Sequence, residues 1–515
     1  MTVPNPARRP RAVAGTIGML ALAGSLLTAA PAAAAPPGCD DRTNNTVDKL
    51  LECVTLEGVT SHLQAFQAIA DANDGNRASG TPGYDASADY VAAQAEAAGL
   101  VVSRQSFEFP FFQLNSSAFE QVAPVPQTYV ADTDYVPMTY SGGGDVTAVA
   151  QAVDVVDPTG QPANTSTSGC EAGDFAGFTA GNIALMQRGT CSFGQKVANA
   201  EAAGAAAAIV YNEGQPGRDV LFTGTLGAPA GIPAVSTGYA LGSSLDGATL
   251  RIAVDAVSEF RTTENVFAEV PGTSDDVVMV GAHLDSVSEG PGINDNGSGS
   301  AAILEVAKQM AKSKPEPTVR FAWWGAEELG LIGSTEYVAT LPEAELARIT
   351  SYLNFDMVGS PNYVRFIYDG DDSDGEGAGP GPEGSAEIEK VFEKFYADRG
   401  LAYEGTDFNG RSDYGPFIAV GIPAGGLFTG AEEIKTPEQA AVYGGTAGEP
   451  YDPCYHTACD TIVNYDEEVL DQNADAIAYA TLTLVSGQTP GNGPKPRPDA
   501  AVQSAVAGHD HDASS

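Results

Sequence analysis

The chain has 515 residues, of which 67 are Asp or Glu and 25 are Lys or Arg, giving a formal net charge of −42. Such an acidic chain repels phosphate polymers and anionic lipid, which argues against nucleic-acid and membrane partners. The length exceeds one ordinary core, and the 43% of hydrophobic residues supports packed domains over acidic disorder. We therefore expect two packed domains with flanking tails.

Residues 1–35 have the pattern of a secretory signal peptide. Three arginines precede an alanine-rich apolar run, and a stretch of small residues ends at Ala35. The run is too short and alanine-rich for a membrane anchor. We expect a secreted, extracellular protein, exported by the general route or, given the adjacent Arg8 and Arg9, by the twin-arginine route.

The chain has six cysteines, which in a secreted protein predict disulfides. Proximity along the chain favours the pairs Cys39–Cys53, Cys170–Cys191 and Cys454–Cys459. The third pair closes so short a loop that it removes little entropy from the unfolded chain. We expect it instead to hold the enclosed His456 in place.

Residues 36–134 alternate predicted helices and strands. Alanines at helical spacing predict a helix over Asp85 to Leu100, and a loop at 77–83 precedes it. Alternating residues from Val101 to Phe112 predict a strand. Because 258–487 shows the same alternation of helices and strands, we assign both segments to one discontinuous domain.

Residues 135–257 have a different pattern from the flanking segments, with predicted short strands, Gly-Pro turns and no candidate ligand histidine. Residues 181–212 predict a strand, a helix and a second strand, and this run resembles the protease-associated (PA) domain. PA domains act as lids or substrate-access modules, so the resemblance implies no chemistry here. A purely structural insertion is the alternative interpretation.

Residues 488–515 are rich in Pro, Gly and Ala without periodicity, which predicts a disordered tail. Two His-Asp pairs at 509–512 could bind a metal only weakly, because nothing preorganises their side chains. We interpret them as solvated.

A buried strand over Val278 to Ser286 places His283 near its end. A glycine-rich turn then places Asp295 immediately before a predicted helix at Ala301 to Met310. Ligands of open α/β sheets lie at the ends of such strands, so we interpret this stretch as half of a metal site. Asp285 is placed to hydrogen-bond the second ring nitrogen of His283.

The next predicted strand, Val319–Trp324, leads to Glu327 and Glu328, and a third ends at Asp356. With the loop that carries His456, these strand ends present two histidines and several carboxylates to one edge of the sheet. Each residue alone could be a core or solvated group, but acids are seldom buried without a partner or a metal. Together they suit two zinc ions about 3.5–4 Å apart that share a carboxylate.

Two other hydrolase designs lack their motifs in this sequence. There is no His-Glu-x-x-His pattern, which excludes the thermolysin type of single-zinc site. No Gly-x-Ser-x-Gly pattern stands at a strand-to-helix elbow, so a serine triad has no support.

Over about 262–487 the chain resembles the secreted bacterial di-zinc leucyl aminopeptidases, relatives of aminopeptidase Y. The motifs that carry the resemblance are Gly281–Ser286, Gly292–Asp295, Trp324–Glu328 and Cys454–His456. The resemblance implies the zinc exopeptidase fold. This is an α/β fold with a mixed, mostly parallel sheet flanked by helices, here carrying an inserted PA domain.

The resemblance also implies roles for individual residues. The zinc ligands would be His283 and Asp356 for one ion, Glu328 and His456 for the other, and Asp295 as the bridge. Glu327 would be the general base and acid, and Tyr455 would support the oxyanion. The implied substrate contacts are Gly410, Arg411 and Phe428.

We expect a zinc aminopeptidase that removes large apolar residues such as Leu from peptide or protein N-termini, and that acts as a monomer. A carboxypeptidase or dipeptidase on the same scaffold is the first alternative. A non-catalytic peptide-binding protein is the second, although every expected ligand position is filled.

A second kind of cation site is predicted on the last helix. Asp471 and Asp475 are four residues apart and so share one face of that helix. Members of the resembled family with this arrangement bind calcium, an ion that prefers oxygen ligands. Two solvated acids are the alternative, and the acidic run at 369–376 is interpreted as a surface loop.

Overall fold

The computed structural model describes residues 38–39, 42–375 and 377–486. The predicted signal peptide at 1–35 and the predicted tail at 488–515 lie outside these residues. Among the helices of the described residues, none is long and apolar enough to cross a membrane.

The strands are, in chain order, β1 (Val101–Ala123), β2 (Gln127–Tyr129), β3 (Tyr135–Pro137), β4 (Gly144–Ala152), β5 (Ile183–Gln187), β6 (Ala207–Tyr211), β7 (Ala234–Thr237), β8 (Thr249–Val270), β9 (Val277–His283), β10 (Thr318–Trp324), β11 (Ile349–Phe355), β12 (Phe366–Tyr368), β13 (Glu404–Thr406) and β14 (Ala424–Phe428).

The α-helices are, in chain order, α1 (Val47–Leu51), α2 (Leu56–Ala72), α3 (Pro82–Ala98), α4 (Phe193–Ala202), α5 (Tyr239–Gly242), α6 (Gly299–Met310), α7 (Ile332–Thr340), α8 (Glu343–Leu346), α9 (Ser385–Arg399), α10 (Gly415–Ala419), α11 (Pro437–Tyr443) and α12 (Glu467–Val485).

The central sheet has the strand order β13-β12-β14-β11-β9-β10-β8, with β1 paired to β8. Strands β14, β11, β9 and β10 run parallel to one another, whereas β8 and β1 are antiparallel to their neighbours. Helices cover both faces of this sheet. The predicted fold class, a mixed and mostly parallel sheet flanked by helices, is confirmed.

Strand β9 lies at the centre because its apolar run has a covered face on each side. Val278 and Val280 pack into the core formed with α2, α3, α6, α9 and α12. Val277 and Met279 pack into the opposite core, which includes residues of α7 and α10. A strand buried on both faces needs an unbroken apolar sequence, as β9 has.

The strand predicted at Val101 to Phe112 is longer in the structure, because β1 continues to Ala123. It pairs with β8 along its length, from Val101 opposite Glu269 to Ala123 opposite Thr249. The two strands form a ribbon that begins in the central sheet and continues into the insert. At its inner face Phe109 packs with Ala326, the residue before Glu327.

Within the insert, β4, β5, β6 and β7 are parallel neighbours, and β4 pairs antiparallel with β8. The predicted strand, helix and strand at 181–212 are present as β5, α4 and β6. The predicted helix at Asp85 to Leu100 is α3, which starts earlier because Pro82 suits a first turn. It ends at Gly99, whose φ of 91° favours glycine.

The three expected disulfides are all formed. They are Cys39–Cys53, Cys170–Cys191 and Cys454–Cys459.

Candidate metal centre

The parallel strands bring the predicted site residues to one edge of the sheet. His283 is the last residue of β9 and is paired with Trp324, the last residue of β10. Glu327 follows Trp324 by three positions, and Asp356 directly follows β11. Because β9, β10 and β11 are parallel, their carboxyl ends meet at the same place.

Asp295 reaches the site from a tight turn, Ile293–Ser298, that leads into α6. A Cβ at Gly299 would lie 2.2 Å from the carbonyl oxygen of Phe355, so a side chain there would push α6 away from β11. The peptide bond between Asp295 and Asn296 is cis.

His456 enters from a different part of the chain, the loop closed by Cys454–Cys459. Its φ is +55°, an uncommon conformation for a non-glycine residue. The imidazole stacks on the ring of Tyr455, with 3.8 Å between the centroids. The short disulfide loop thus encloses the histidine as expected.

The five predicted ligands converge in two overlapping groups. His283 Nε2 is 3.2 Å from Asp295 Oδ1 and 3.2 Å from Asp356 Oδ1. His456 Nε2 is 3.3 Å from Asp295 Oδ2 and 3.0 Å from Glu328 Oε2. Asp295 therefore lies between the two imidazoles and presents one oxygen to each.

Burial and mutual charge set the electrostatics of these groups. Burial raises the pKa of Glu328 to about 7 and holds the pKa of Glu327 well above its usual range. Burial opposes protonation of the histidines, but Glu328 and Asp295 raise the pKa of His456 to about 11. The site thus concentrates negative charge that only bound protons or cations can balance.

The residues present fit a pair of zinc ions. Two imidazole nitrogens and three carboxylates are the nitrogen and oxygen donors that zinc takes. Ligand atoms of His283, Asp295 and Glu328 lie within 4.8 Å of one another, as do those of His283, Glu327 and Asp356. The buried Oε1 of Glu328 has no hydrogen-bond partner, which is costly unless a cation binds it.

Asp285 lies behind His283, as the sequence predicts, but its contacts differ in detail. The Nδ1 atom of His283 is 3.1 Å from the main-chain oxygen of Asp285 and 3.6 Å from its carboxylate. The carboxylate instead accepts the backbone N–H of Glu327 at 3.2 Å. Asp285 therefore supports the histidine and the neighbouring acid at once.

Arg77 is a central residue that sequence reasoning missed, because it was placed only in a loop. It is 0% exposed, and its guanidinium donates to the carbonyl oxygens of Leu284, Pro291 (2.8 Å) and Gly292 (2.6 Å). These carbonyls belong to the segment between His283 and Asp295. Burial lowers the pKa of Arg77 to about 10, while nearby acids oppose that shift.

Ser412 was also missed, although it follows the predicted Arg411. Its hydroxyl donates to Asp356 Oδ2 at 2.6 Å and accepts from the Asn354 amide at 2.8 Å. The contact leaves the other oxygen of Asp356 facing His283. Its position beside Arg411 was the available signal.

A cleft of about 600 Å³, counting its open mouth, lies over these groups. Of the predicted substrate contacts, Arg411 and Phe428 line it, whereas Gly410 is not among the lining residues. Tyr455, the predicted support of the oxyanion, also lines it. All the lining residues lie between His283 and His456, outside the insert at 135–257. The walls of the cleft therefore belong to the discontinuous domain of 36–134 and 258–487, whose two parts we call the catalytic segments.

Asp471 and Asp475 lie on α12, as predicted. Burial raises the pKa of both, that of Asp475 to about 7, and Asp471 accepts the backbone N–H of Leu56. No third His, Cys, Asp or Glu joins them within ligand range in the part of the chain that the structure describes. The calcium site stays a prediction.

Comparison with known proteins adds an independent finding. The chain is 50% identical over 443 residues to an aminopeptidase of Pseudomonas aeruginosa, covering 84% of this chain and 82% of that protein. The model of peptidase family M28 matches residues 265–481. The chain belongs to peptidase family M28. The chain is therefore a peptidase, and a PA domain model matches residues 151–245, inside the predicted insert.

Other relatives and solved structures are similar over most of the chain. Leucine aminopeptidase 2 of Trichophyton rubrum is 39% identical, covering 84% of this chain and 85% of that protein. The aminopeptidase from Aneurinibacillus sp. strain AM-1 has a TM-score of 0.62 and 28% identity, covering 88% of this chain and 99% of that one. BSAP, a zinc aminopeptidase from Bacillus subtilis, has a TM-score of 0.55 and 25% identity, covering 85% and 97%.

Proposed function

We propose that this M28 peptidase is a secreted aminopeptidase that uses two zinc ions. It would cleave the N-terminal peptide bond of peptides or proteins with a free α-amine and prefer large apolar residues such as Leu. The observation that carries the proposal is the position of Asp295, whose two oxygens face one imidazole each, within 3.3 Å. A bridging carboxylate between two metal ions requires this arrangement.

In the proposal, His283 and Asp356 hold one ion, Glu328 and His456 hold the other, and Asp295 holds both. Bound there, zinc would polarise the scissile carbonyl and bring the pKa of a water to about 7. Membership of M28 and the zinc aminopeptidase among the similar structures support the choice of metal.

Glu327 is the proposed general base and acid. Its Oε2 atom is 3.8 Å from His283 Nε2, so the carboxylate borders the metal site, and it lines the cleft. Burial holds its pKa well above the usual range, which favours a group that accepts a proton and then returns it. It would take the proton of the attacking water and deliver it to the leaving amine.

Tyr455 is the proposed donor to the oxyanion, because it lines the cleft and directly precedes the proposed ligand His456. The ring stacks on His456, and Arg411 Nη2 lies 3.3 Å from the hydroxyl oxygen. A fixed donor aimed at developing charge stabilises a transition state more than the substrate.

The charges of the cleft favour binding of the free N-terminal amine of a peptide. Its lining is rich in carboxylates, and its cation Arg411 is already paired with Glu432 and Glu433. A carboxypeptidase needs a cation free to bind the terminal carboxylate, so this pairing disfavours that alternative. Met357, Tyr368 and Phe428 add apolar surface, which supports a large apolar first residue.

Export and the remaining site assignments belong to the same proposal. Three disulfides support an oxidising destination. The proposal keeps calcium at Asp471 and Asp475 as an untested part, and it keeps a monomer as the acting species.

The proposal is tested with a panel of aminoacyl p-nitroanilides and their N-acetylated counterparts, before and after chelation of zinc. Hydrolysis of the leucyl substrate, no hydrolysis of its acetylated form, and recovery of activity on adding zinc are expected. Equal cleavage of acetylated and free substrates would rule out aminopeptidase action. Binding of one zinc per chain at full activity would rule out the paired site.

A further inference from the structure

Two adjacent glutamates, Glu432 and Glu433, lie beside Arg411 at the edge of the cleft. Glu432 Oε1 is 2.9 Å from Arg411 Nη1, and Glu433 Oε1 is 3.5 Å from the same nitrogen. On its other side, Arg411 Nη2 donates to the Tyr455 hydroxyl oxygen at 3.3 Å. One guanidinium therefore connects two carboxylates with a single phenol.

The direction of the contact with Tyr455 follows from the chemistry of arginine. A guanidinium has only donors, so the oxygen of Tyr455 must be the acceptor. The hydrogen of the phenol is then free for another acceptor. Because Tyr455 lines the cleft, that acceptor can be an atom of the substrate.

The two glutamates are attached to the same backbone frame as the tyrosine. The Glu433 carboxylate accepts the Ala431 N–H at 3.3 Å, and the Glu433 carbonyl accepts the Tyr451 N–H at 3.0 Å. The Ala431 carbonyl accepts the Asp452 N–H at 2.8 Å. Residues 451–452 lead directly into the disulfide loop of Tyr455, so a guanidinium held by the glutamates keeps its place relative to the phenol.

Stability gives little reason for these ion pairs. The side chains of Arg411, Glu432 and Glu433 are 38%, 49% and 47% exposed. Exposed ion pairs contribute little to folding. Two carboxylates on one guanidinium do restrict the rotamers of a long, flexible side chain, and that restriction matters for orientation.

We propose that Glu432 and Glu433 are positioning residues that hold Arg411 against Tyr455, so that the Tyr455 hydroxyl donates into the cleft. The inference rests on the proposed function, which gives Tyr455 the role of oxyanion donor. The glutamates touch no reacting atom in this scheme and act only through Arg411.

The test is a double-mutant cycle on leucine p-nitroanilide, a substrate without a carboxylate that could bind Arg411 directly. The double variant Glu432→Gln/Glu433→Gln is made in the natural chain and in a Tyr455→Phe chain. In the natural background we expect kcat to fall about ten-fold with KM changed by less than about two-fold. In the Tyr455→Phe background we expect a further loss of less than about two-fold.

Glu438→Gln, an exposed acid on the nearby α11, is the matched charge control and should leave both constants unchanged. Zinc per chain is measured for every variant. Equal losses in the two backgrounds, no loss, a change in KM alone, or a loss that follows zinc content would each overturn the inference. Failure of the unmodified protein to cleave the substrate would refute the proposed function instead, so the two failures are distinguishable.

Discussion

The insert and the catalytic segments both bury charged side chains, but they treat them differently. In the insert, the Glu213 side chain is 0% exposed and is met by Arg218 Nε at 2.6 Å and by the Asn164 N–H at 2.8 Å. In the catalytic segments, Glu328 is buried beside Asp295, and its Oε1 atom has no hydrogen-bond partner. The insert pairs the buried Glu213 with a cation and a backbone donor, whereas the catalytic site leaves an excess of negative charge.

The difference distinguishes buried charges that are part of the structure from buried charges that are available to bind a ligand. A buried acid with a cation and backbone donors is locally satisfied and needs no ligand. Carboxylates that crowd one another raise each other's pKa and gain free energy when a cation arrives. Variants in the catalytic site should therefore lose activity, whereas variants in the insert should lose stability.

The largest expected effect comes from Glu327→Gln, which keeps the shape of the side chain but removes the proposed base. We expect kcat to fall by about 10²–10⁴-fold, because proton transfer by a positioned group contributes that much. Steady-state kinetics on leucine p-nitroanilide, with zinc measured per chain, checks this. Glu343→Gln on the exposed part of α8 is the control. Full turnover by a zinc-loaded Glu327→Gln protein would remove Glu327 from its role.

The next effect should come from Arg77→Lys. An ammonium cannot replace three guanidinium bonds to the carbonyls of Leu284, Pro291 and Gly292, so the segment between His283 and Asp295 should lose its fixed geometry. We expect zinc affinity to fall about 10–100-fold, as for other groups that orient metal ligands.

Titration of zinc against a competing chelator measures the affinity of the Arg77→Lys protein. Arg104→Lys, at a half-exposed ion pair on β1, is the matched control. Unchanged zinc affinity with lost activity would show that Arg77 acts on something other than the metal ligands.

The residues changed in these variants differ in how far the sequence predicts them. His283, Glu328 and Asp356 end or follow short apolar runs, so their places at strand ends can be read from neighbouring residues. Asp295 stands in a glycine-rich turn and His456 in a short cysteine loop. Parallel strands then bring those ends together without further information. Local patterns and one topological rule therefore place histidines and carboxylates at one edge of a sheet. The exact set of ligands and the mixed, mostly parallel sheet were implied by the resemblance to the zinc aminopeptidases.

Arg77 could not be assigned in this way, because its partners Leu284 and Gly292 lie 207 and 215 residues away. Sequence periodicity describes neighbouring residues and cannot predict a contact over such a separation. The length of β1 was missed for a related reason: the alternating pattern fades near Leu114, where a register shift occurs, and pairing with β8 carries the strand onward. Tertiary pairing overrides a weak local preference.

A smaller effect is expected in the insert from Arg218→Met, which leaves the buried Glu213 carboxylate without its cation. We expect the insert to lose about 1–3 kcal/mol of stability, the cost of an unsatisfied buried group. Hydrogen exchange of β6, which ends two residues before Glu213, should become faster while kcat is unchanged. Arg104→Met removes only the partly exposed ion pairs with Asp89 and Glu264 and should change stability by less than about 1 kcal/mol. Lost zinc binding in Arg218→Met would contradict the separation of the two regions.

The smallest effect concerns the pH dependence of the insert. Lys196 is buried and donates to the Ser168 carbonyl oxygen at 2.5 Å, and burial lowers its pKa from 10.5 to about 8. Above pH 8 the folded chain therefore releases a proton that the unfolded chain keeps up to about pH 10.5. The contribution of this group to the free energy of unfolding must rise across that interval.

Comparing thermal unfolding of the natural chain with Lys196→Met isolates this contribution from other titrating groups. We expect the stability of the natural chain relative to the variant to increase between about pH 8 and 10, because only the natural chain has the lysine. Lys314→Met, at an exposed lysine, should show a difference that does not vary with pH. If the difference in stability between the natural chain and Lys196→Met stays constant or falls as the pH rises, the partners of the Lys196 ammonium must compensate for its burial. Burial of Lys196 would then not make the stability of the insert depend on pH, and the insert would differ even more clearly from the catalytic site, where burial shifts the pKa values of the acids.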